Sequence, residues 1–293
     1  MSLRFGYGLN GFTDHRLADA VAVLADLGYD GVALTLDHAH LDPFAPDLAA
    51  RTREVAGLLE RHGLGVVVET GARYVLDPRR KHEPTLVSDQ GRERRIELLE
   101  RAIRVAADLG APAVSFWSGI APAAAGRDEL WSRVEAAVSR LLPQADAHGV
   151  DLALEPEPGM FVERVADVLE LRRRLGAPER LRLTIDVGHL RCTEDADPAA
   201  CVLGAGDLLA NVQIDDMRRG VHEHLPLGDG EVDFPPVLAA LAAVEFTGLV
   251  AVELPRHSHA APTLAAASLD FLRDAERAAQ DPDRTRRPQE VGR

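Results

Sequence analysis

One joint recurs along this chain: a helical stretch ends in glycine, and a short β-branched run begins within a few residues. It reads Leu27-Gly28-Tyr29-Asp30-Gly31-Val32, then His62-Gly63-Leu64-Gly65-Val66, then Leu109-Gly110-Ala111-Pro112-Ala113-Val114, then His148-Gly149-Val150-Asp151-Leu152. A weaker copy is Leu175-Gly176-Ala177-Pro178, ahead of Leu181. Glycine is usual just past a helix end because, lacking a Cβ, it reaches left-handed dihedrals at little cost. A short glycine loop from helix to strand is the joint of a β/α unit. The spacing predicts strands over 4–8, 31–35, 65–69, 113–117, 151–155, 182–187, 211–215 and 249–254. They are short and nearly all apolar, as strands buried on both faces are. Helical patterns fall between them, near 16–27, 47–62, 91–109, 128–148, 163–175, 197–209, 235–244 and 261–278. Eight alternations imply a parallel sheet, and eight strands close a barrel. The expected fold class is α/β, a (β/α)8 TIM barrel, and 293 residues suit one such domain. A doubly wound open sheet is the alternative, but the glycine-rich phosphate fingerprint it carries after its first strand is missing. The domain is expected over 1–279. The tail from 280 to 293, QDPDRTRRPQEVGR, has almost no apolar residues and is expected to be disordered.

Aromatic residues make up only 4%, so the core has to be aliphatic. The net charge is −14, which opposes the basic footprint a duplex-binding protein needs, so no nucleic-acid partner is expected. There is no apolar run of 18 residues and no membrane partner is expected. The first residues, MSLRFGYGLN, lack the pattern of a signal peptide, and two cysteines, Cys192 and Cys201, give no disulfide framework. Both observations fit a reducing cytoplasm.

In a parallel barrel the active site sits where the strands end at their carboxyl side. The third strand ends in Glu69, followed by Gly71 and Arg73, and the fourth in Ser115-Phe116-Trp117. The fifth ends in Glu155, followed by Glu157, and the sixth in Asp186, with Gly188 and His189 behind it. The seventh carries Gln213, Asp215 and Asp216, and the eighth ends in Glu253. The fifth to eighth strands are neighbours in a closed barrel, and like charges so close raise each other's pKa unless a cation sits between them. Glu155, Asp186, Gln213 and Glu253 offer mostly hard oxygen ligands for one divalent ion, Mn²⁺ or Mg²⁺, with Co²⁺ or Zn²⁺ as alternatives.

These residues carry a resemblance. Glu155 in ALEPEPG, Asp186 and His189 in TIDVGHL, Gln213 in VQIDDM, the segment Pro226 to Phe234 (PLGDGEVDF) and Glu253 in VAVELP resemble the xylose isomerase-like superfamily. That group holds sugar and sugar-phosphate isomerases and epimerases, hydroxypyruvate isomerases, inosose dehydratases and enzymes of the endonuclease IV type. The resemblance runs to about residue 278, and its most specific parts are the D-x-G-H and LGDGEVDF segments. It implies a mononuclear metal site of Glu155, Asp186, the seventh-strand residue and Glu253, with His189 touching substrate. The seventh-strand ligand is often His in the group. Gln213 stands here, as a Gln does in the hydroxypyruvate isomerase branch.

Other residues are candidates for substrate contact. His222 and His224 flank Glu223, and in an extended segment both point to one side, where they could meet substrate or a second metal. Arg73, Lys81 and His82 belong to a basic segment, RYVLDPRRKHEPT, that could clamp a phosphate or carboxylate or simply be solvated. Trp117 is placed to line a sugar pocket, whereas Trp131 reads as helix packing and Cys192 as a spectator.

The expected function is a metal-dependent isomerase or epimerase of a small polyol, keto-sugar or sugar phosphate. A metal chelating adjacent carbonyl and hydroxyl oxygens would acidify the intervening C–H, and Glu155 and Glu253 would exchange the proton. A dehydratase sharing the same enediolate is the first alternative. An endonuclease IV-like phosphodiesterase and a non-catalytic binding barrel are further ones. Assembly into a homo-oligomer is left open.

Overall fold

The computed structural model describes residues 2–71 and 73–280. Ten strands lie among the described residues: β1 (Arg4–Gly8), β2 (Gly31–Thr35), β3 (Gly65–Glu69), β4 (Ala113–Trp117), β5 (Asp151–Glu155), β6 (Leu181–Asp186), β7 (Leu209–Ile214), β8 (Asp216–Arg218), β9 (Val221–Leu225) and β10 (Leu249–Val252). Eight of them close a parallel barrel in the order β1-β10-β7-β6-β5-β4-β3-β2, while β8 and β9 form an antiparallel hairpin beside it. The helices are α1 (Leu17–Leu27), α2 (Leu48–His62), α3 (Arg92–Leu109), α4 (Arg127–His148), α5 (Val165–Arg174), α6 (Val187–Thr193), α7 (Pro198–Ala205), α8 (Phe234–Ala243) and α9 (Ala261–Ala279). The fold is the expected (β/α)8 barrel, and its first five strands lie where the spacing places them. Gly28, Gly63, Gly110 and Gly149 all close helices with positive φ, and each returns its N–H to the last turn.

Two elements were not expected. The segment after β6 is the helix α6, because the Asp186 side chain caps it by accepting from His189 N at 3.0 Å. The segment after β7 turns at Arg219-Gly220 and pairs Arg218 with Val221, a hairpin too short and too charged to show periodicity. The tail expected to be disordered lies, beyond Gln280, outside the described residues.

Apolar strand faces pack against the helices in one aliphatic cluster. Inside the barrel a separate layer holds Ala33, Val67, Ala113, Ala153 and Ala251. Side chains alternate along a strand, so residues two positions further face the same way. Those residues are Thr35, Glu69, Ser115, Glu155 and Glu253. The barrel interior is thus small and apolar in one layer and polar in the layer nearer the carboxyl ends. Ser115 and Thr184 hydrogen bond across it at 2.9 Å. Among the described residues no helix is long and apolar enough to cross a membrane.

Candidate active site

The polar layer opens into a cavity of about 160 Å³ at the carboxyl ends of the strands. Glu69, Glu155, Gln213 and Glu253 line it, and Asp186 is buried against them. Glu69 is the carboxylate that strand-by-strand reasoning left out of the ligand set. Closure puts β3 opposite β7, and Gln213 Nε2 donates across the barrel to Glu69 Oε1 at 2.9 Å. Asn10, in the turn after β1, is a second addition. Its Nδ2 donates to Glu253 Oε1 at 2.8 Å.

Burial sets the acidity of these groups. Desolvation raises Glu69 to about 7, despite hydrogen bonds from Thr35 and Gln213. Desolvation, followed by repulsion from Glu157, Asp186 and Glu69, pushes Glu155 well above the ordinary carboxylate range. Glu253 rises in the same way, through desolvation and then Glu69, Glu155 and Asp186. A barrel that gathers this many acids in one place has to keep some of them protonated or neutralise them with a cation.

The donor set fits a divalent cation. Asp186 Oδ2, Gln213 Oε1 and Glu253 Oε2 are buried and make no hydrogen bond. Buried oxygens are rarely left without a partner; these three belong to residues of the expected ligand set, and Asn10, Asn211, Tyr7 and both oxygens of Asp215 share the condition outside it. Glu155, Asp186 and His189 bring ligand atoms within 4.8 Å of one another. Glu253 joins no such group among the described residues, and its carboxylate accepts from Asn10 Nδ2.

A group of imidazoles adjoins the acids. His189 Nδ1 is 3.2 Å from Glu155 Oε1, yet neither ring nitrogen makes a hydrogen bond. His222 and His224 lie on β9 and both turn towards His189, with ring centroids 4.9 and 5.5 Å from it. The three nitrogen donors lie within 4.8 Å of one another. Burial draws the His224 pKa down to about 3, so this ring is neutral near pH 7, and its Nδ1 faces the buried Asp215 carboxylate.

The structure also explains the two most specific sequence segments. In D-x-G-H, a Cβ on Gly188 would lie 1.9 Å from Asp215 Oδ1 and 2.7 Å from Met217 Cγ, so only glycine lets α6 lie against the strand β7 corner. In LGDGEVD, the buried Asp216 carboxylate accepts three backbone N–H groups, from Gly228 (3.0 Å), Gly230 (2.8 Å) and Val232 (3.0 Å). A Cβ on Gly230 would meet that carboxylate at 2.2 Å. The loop and the hairpin carrying His222 and His224 are therefore tied to one side chain. Asp216→Ala is expected to lower the unfolding free energy by about 3 kcal/mol or more, because bonds to a buried charge are lost and three donors are orphaned. A denaturant melt checks this, and an unchanged midpoint would refute it.

The basic segment divides. Arg73, Lys81 and His82 reach the cavity, whereas Arg80 is exposed and pairs with Asp77 at 2.9 Å. His82 Nδ1 contacts Gly71 O at 3.0 Å, and its ring meets Trp117 edge-on at 5.4 Å. Trp117 lines the cavity, and the fully buried Arg95 guanidinium stacks on it 3.9 Å from the ring centroid. Trp131 packs on Phe161 as a core residue, and Cys192 is buried. Arg256, directly after Pro255, reaches the cavity as well and was not anticipated, because nothing in its sequence neighbourhood distinguishes it from a surface arginine.

Comparison with known proteins agrees with the fold. The family model for the xylose isomerase-like TIM barrel matches residues 21–275. An L-ribulose 3-epimerase of Mesorhizobium japonicum is 27% identical over 237 residues, 78% of this chain and 72% of that protein. The L-ribulose-5-phosphate 3-epimerase UlaE of Salmonella paratyphi C is 23% identical over 231 residues, 78% of each chain. A solved D-allulose 3-epimerase from Methylomonas sp., in complex with D-allulose, superposes with a TM-score of 0.72 at 24% identity. That match covers 93% of this chain and 97% of the other, and at such identity it concerns the fold.

Proposed function

The chain belongs to the xylose isomerase-like TIM barrel family, and we propose that it is a divalent-metal-dependent isomerase or epimerase of a small keto-sugar, polyol or sugar phosphate, working as one domain over residues 1–279. One observation carries the reading: three buried oxygens without partners, on Asp186, Gln213 and Glu253, are gathered with Glu155 around a single cavity. Glu155, Asp186, Gln213 and Glu253 would hold the ion. The oxygen-rich set suits Mn²⁺ or Mg²⁺, and the adjoining imidazoles admit Co²⁺ or Zn²⁺. When bound, such a cation polarises a substrate carbonyl and makes the neighbouring C–H more acidic.

The remaining chemistry belongs to side chains. Glu155 ends β5 and Glu253 follows β10, with β6 and β7 between them in the closed barrel, so the two carboxylates approach a bound sugar from different sides. One takes the proton from the carbon beside the carbonyl. The other returns a proton to the opposite face, and the centre inverts. Burial holds both carboxyls above the ordinary range in the metal-free protein, and a cation among them would favour the ionised form that accepts a proton. His189 orients a substrate oxygen, with His222 and His224 beside it, and Trp117 with His82 presents an apolar wall to the sugar carbons.

Turnover in D₂O tests the proton route. With a panel of ketoses, ketose phosphates and inososes, the product is expected to carry deuterium at the carbon beside the carbonyl. Turnover without incorporation would overturn the two-glutamate scheme. Loss of water from the product mass would move the reading to a dehydratase, which shares the first proton abstraction.

A further inference from the structure

Three cations stand at the mouth of the cavity: Arg73, Lys81 and Arg256. They face a cavity that is otherwise rich in acids. The net charge is −14, and Lys81 is the only lysine among the 33 Lys and Arg residues. Several arginines elsewhere are tied to acids, and Arg133, Arg140, Arg174 and Arg180 each have two carboxylates within 4 Å. Among the described residues Arg73, Lys81 and Arg256 have no carboxylate within that distance, although Glu69, Glu155, Glu157 and Glu253 line the same cavity.

The three are positioned by backbone. The Arg73 guanidinium donates to Asn10 O at 3.0 Å and to Pro255 O at 3.3 Å, so it spans the ends of β1 and β10. Those two contacts leave further N–H groups free. Arg256 follows Pro255 and shares that rim. The loop bearing Lys81 is closed on itself, with Tyr74 N donating to Lys81 O at 2.7 Å and His82 Nδ1 against Gly71 O at 3.0 Å. The Lys81 ammonium is disfavoured first by desolvation and then by Arg73 and Arg256, so the cations feel one another. Glu157 offsets that repulsion in part from across the cavity without an ion pair to any of the three, and an anion arriving between the cations relieves it further.

From this we infer that the substrate is phosphorylated: Arg73, Lys81 and Arg256 receive a terminal phosphate monoester while the keto end of the sugar sits among the carboxylates. The inference rests on the sugar isomerase reading for the part of the substrate at the cavity floor. Charge fixes the orientation. The acids at the floor repel an anion, so the phosphate has to lie at the end of the molecule remote from the reacting carbons. A phosphate is close to a dianion at neutral pH and offers three acceptor oxygens, matching three cations better than a single carboxylate does. Free ketoses would leave the mouth unfilled.

Having a single lysine makes the site directly measurable. The full-length protein is labelled with an amine-selective acylating reagent, and Lys81 acylation is followed by peptide mass spectrometry. Inorganic phosphate is expected to slow labelling about tenfold at saturation, with chloride at matched ionic strength having little effect and with protection lost in Arg256→Met. In parallel, kinetics compare a ketopentose with its 5-phosphate. The ester is expected to be preferred in kcat/KM by at least about tenfold, and Lys81→Met is expected to reduce that preference through KM for the ester. Protection without turnover of any sugar would sustain the anion site and overturn the isomerase reading. Turnover of free ketoses with no protection would do the reverse. A keto-acid sugar preferred over the phosphate ester would overturn the assignment to phosphate.

Discussion

Glu155→Gln is expected to lower kcat/KM on a keto-sugar substrate by about three orders of magnitude, the scale on which a general base contributes. The substitution keeps the shape of the side chain and removes both its charge and its ability to accept a proton. It acts where structure is tightest, on a buried carboxylate at the end of β5 with His189 Nδ1 3.2 Å away. Glu253→Gln is expected to have a similar effect, with Asn10 still able to hold the amide oxygen. Because both residues would also hold the ion, activity alone does not separate a lost base from a lost metal. Elemental analysis does. Each single variant that retains metal but loses solvent-deuterium exchange has lost its base. The double variant Glu155→Gln/Glu253→Gln is expected to bind no stoichiometric metal, and full occupancy in it would sink the ligand assignment.

Removing the metal is expected to make the protein's stability fall as pH rises. Glu69 is raised to about 7 from an ordinary 4.5, so ionising it in the folded protein costs about 3 kcal/mol more than in the unfolded chain. Glu155 and Glu253 are raised too, through desolvation first. A carboxyl whose folded pKa is raised binds more protons folded than unfolded, so its penalty is absent below the unfolded pKa and complete above the folded one. His224 works the other way, because its folded pKa is depressed to about 3. Its contribution grows with pH up to the ordinary histidine value and is level from about pH 6.5 upward. Above that point, and below the range where the cysteines and Lys81 titrate, the buried acids dominate the slope. The chelated protein is expected to lose about 5 °C in Tm between pH 6.5 and 8.5, whereas the metal-loaded protein stays level because a cation among the carboxylates removes their repulsion. A chelated protein whose Tm rises or holds over that range would contradict a site built to be neutralised by a cation.

How much of the site could be read in advance depended on how far its residues sit from one another in the sequence. The end of each strand is a local feature. Gly28, Gly63, Gly110 and Gly149 mark where helices stop, and a strand of five residues follows each within three positions. Counting along those strands reaches Glu69 and Glu155, and the short apolar runs later in the chain lead in the same way to Asp186, Gln213 and Glu253, without knowledge of their neighbours. The segments around Asp186 and Gly228 were legible for a related reason: glycine at 188 and 230 answers a steric demand that leaves no alternative residue. The α6 turn and the β8–β9 hairpin were not legible. Their lengths, seven, three and five residues, are below what hydrophobic periodicity resolves.

Sequence alone determined that the chain alternates eight times between strand and helix, because capping and periodicity act within a few residues and need no distant partner. It determined equally which strand ends carry acids. Only the tertiary structure decided which of those acids meet. Closing the barrel sets β3 opposite β7, so Glu69, 144 residues from Gln213, becomes its hydrogen-bond partner. The same closure places Asn10 on Glu253, 243 residues away, and carries Arg73, Lys81 and Arg256 to one mouth. Burial follows from closure as well, and burial is what raises the carboxylate pKa values and leaves oxygens of Asp186, Gln213 and Glu253 without partners. Desolvation and through-space charge depend on where atoms lie in the folded molecule, and no local pattern in the chain encodes them.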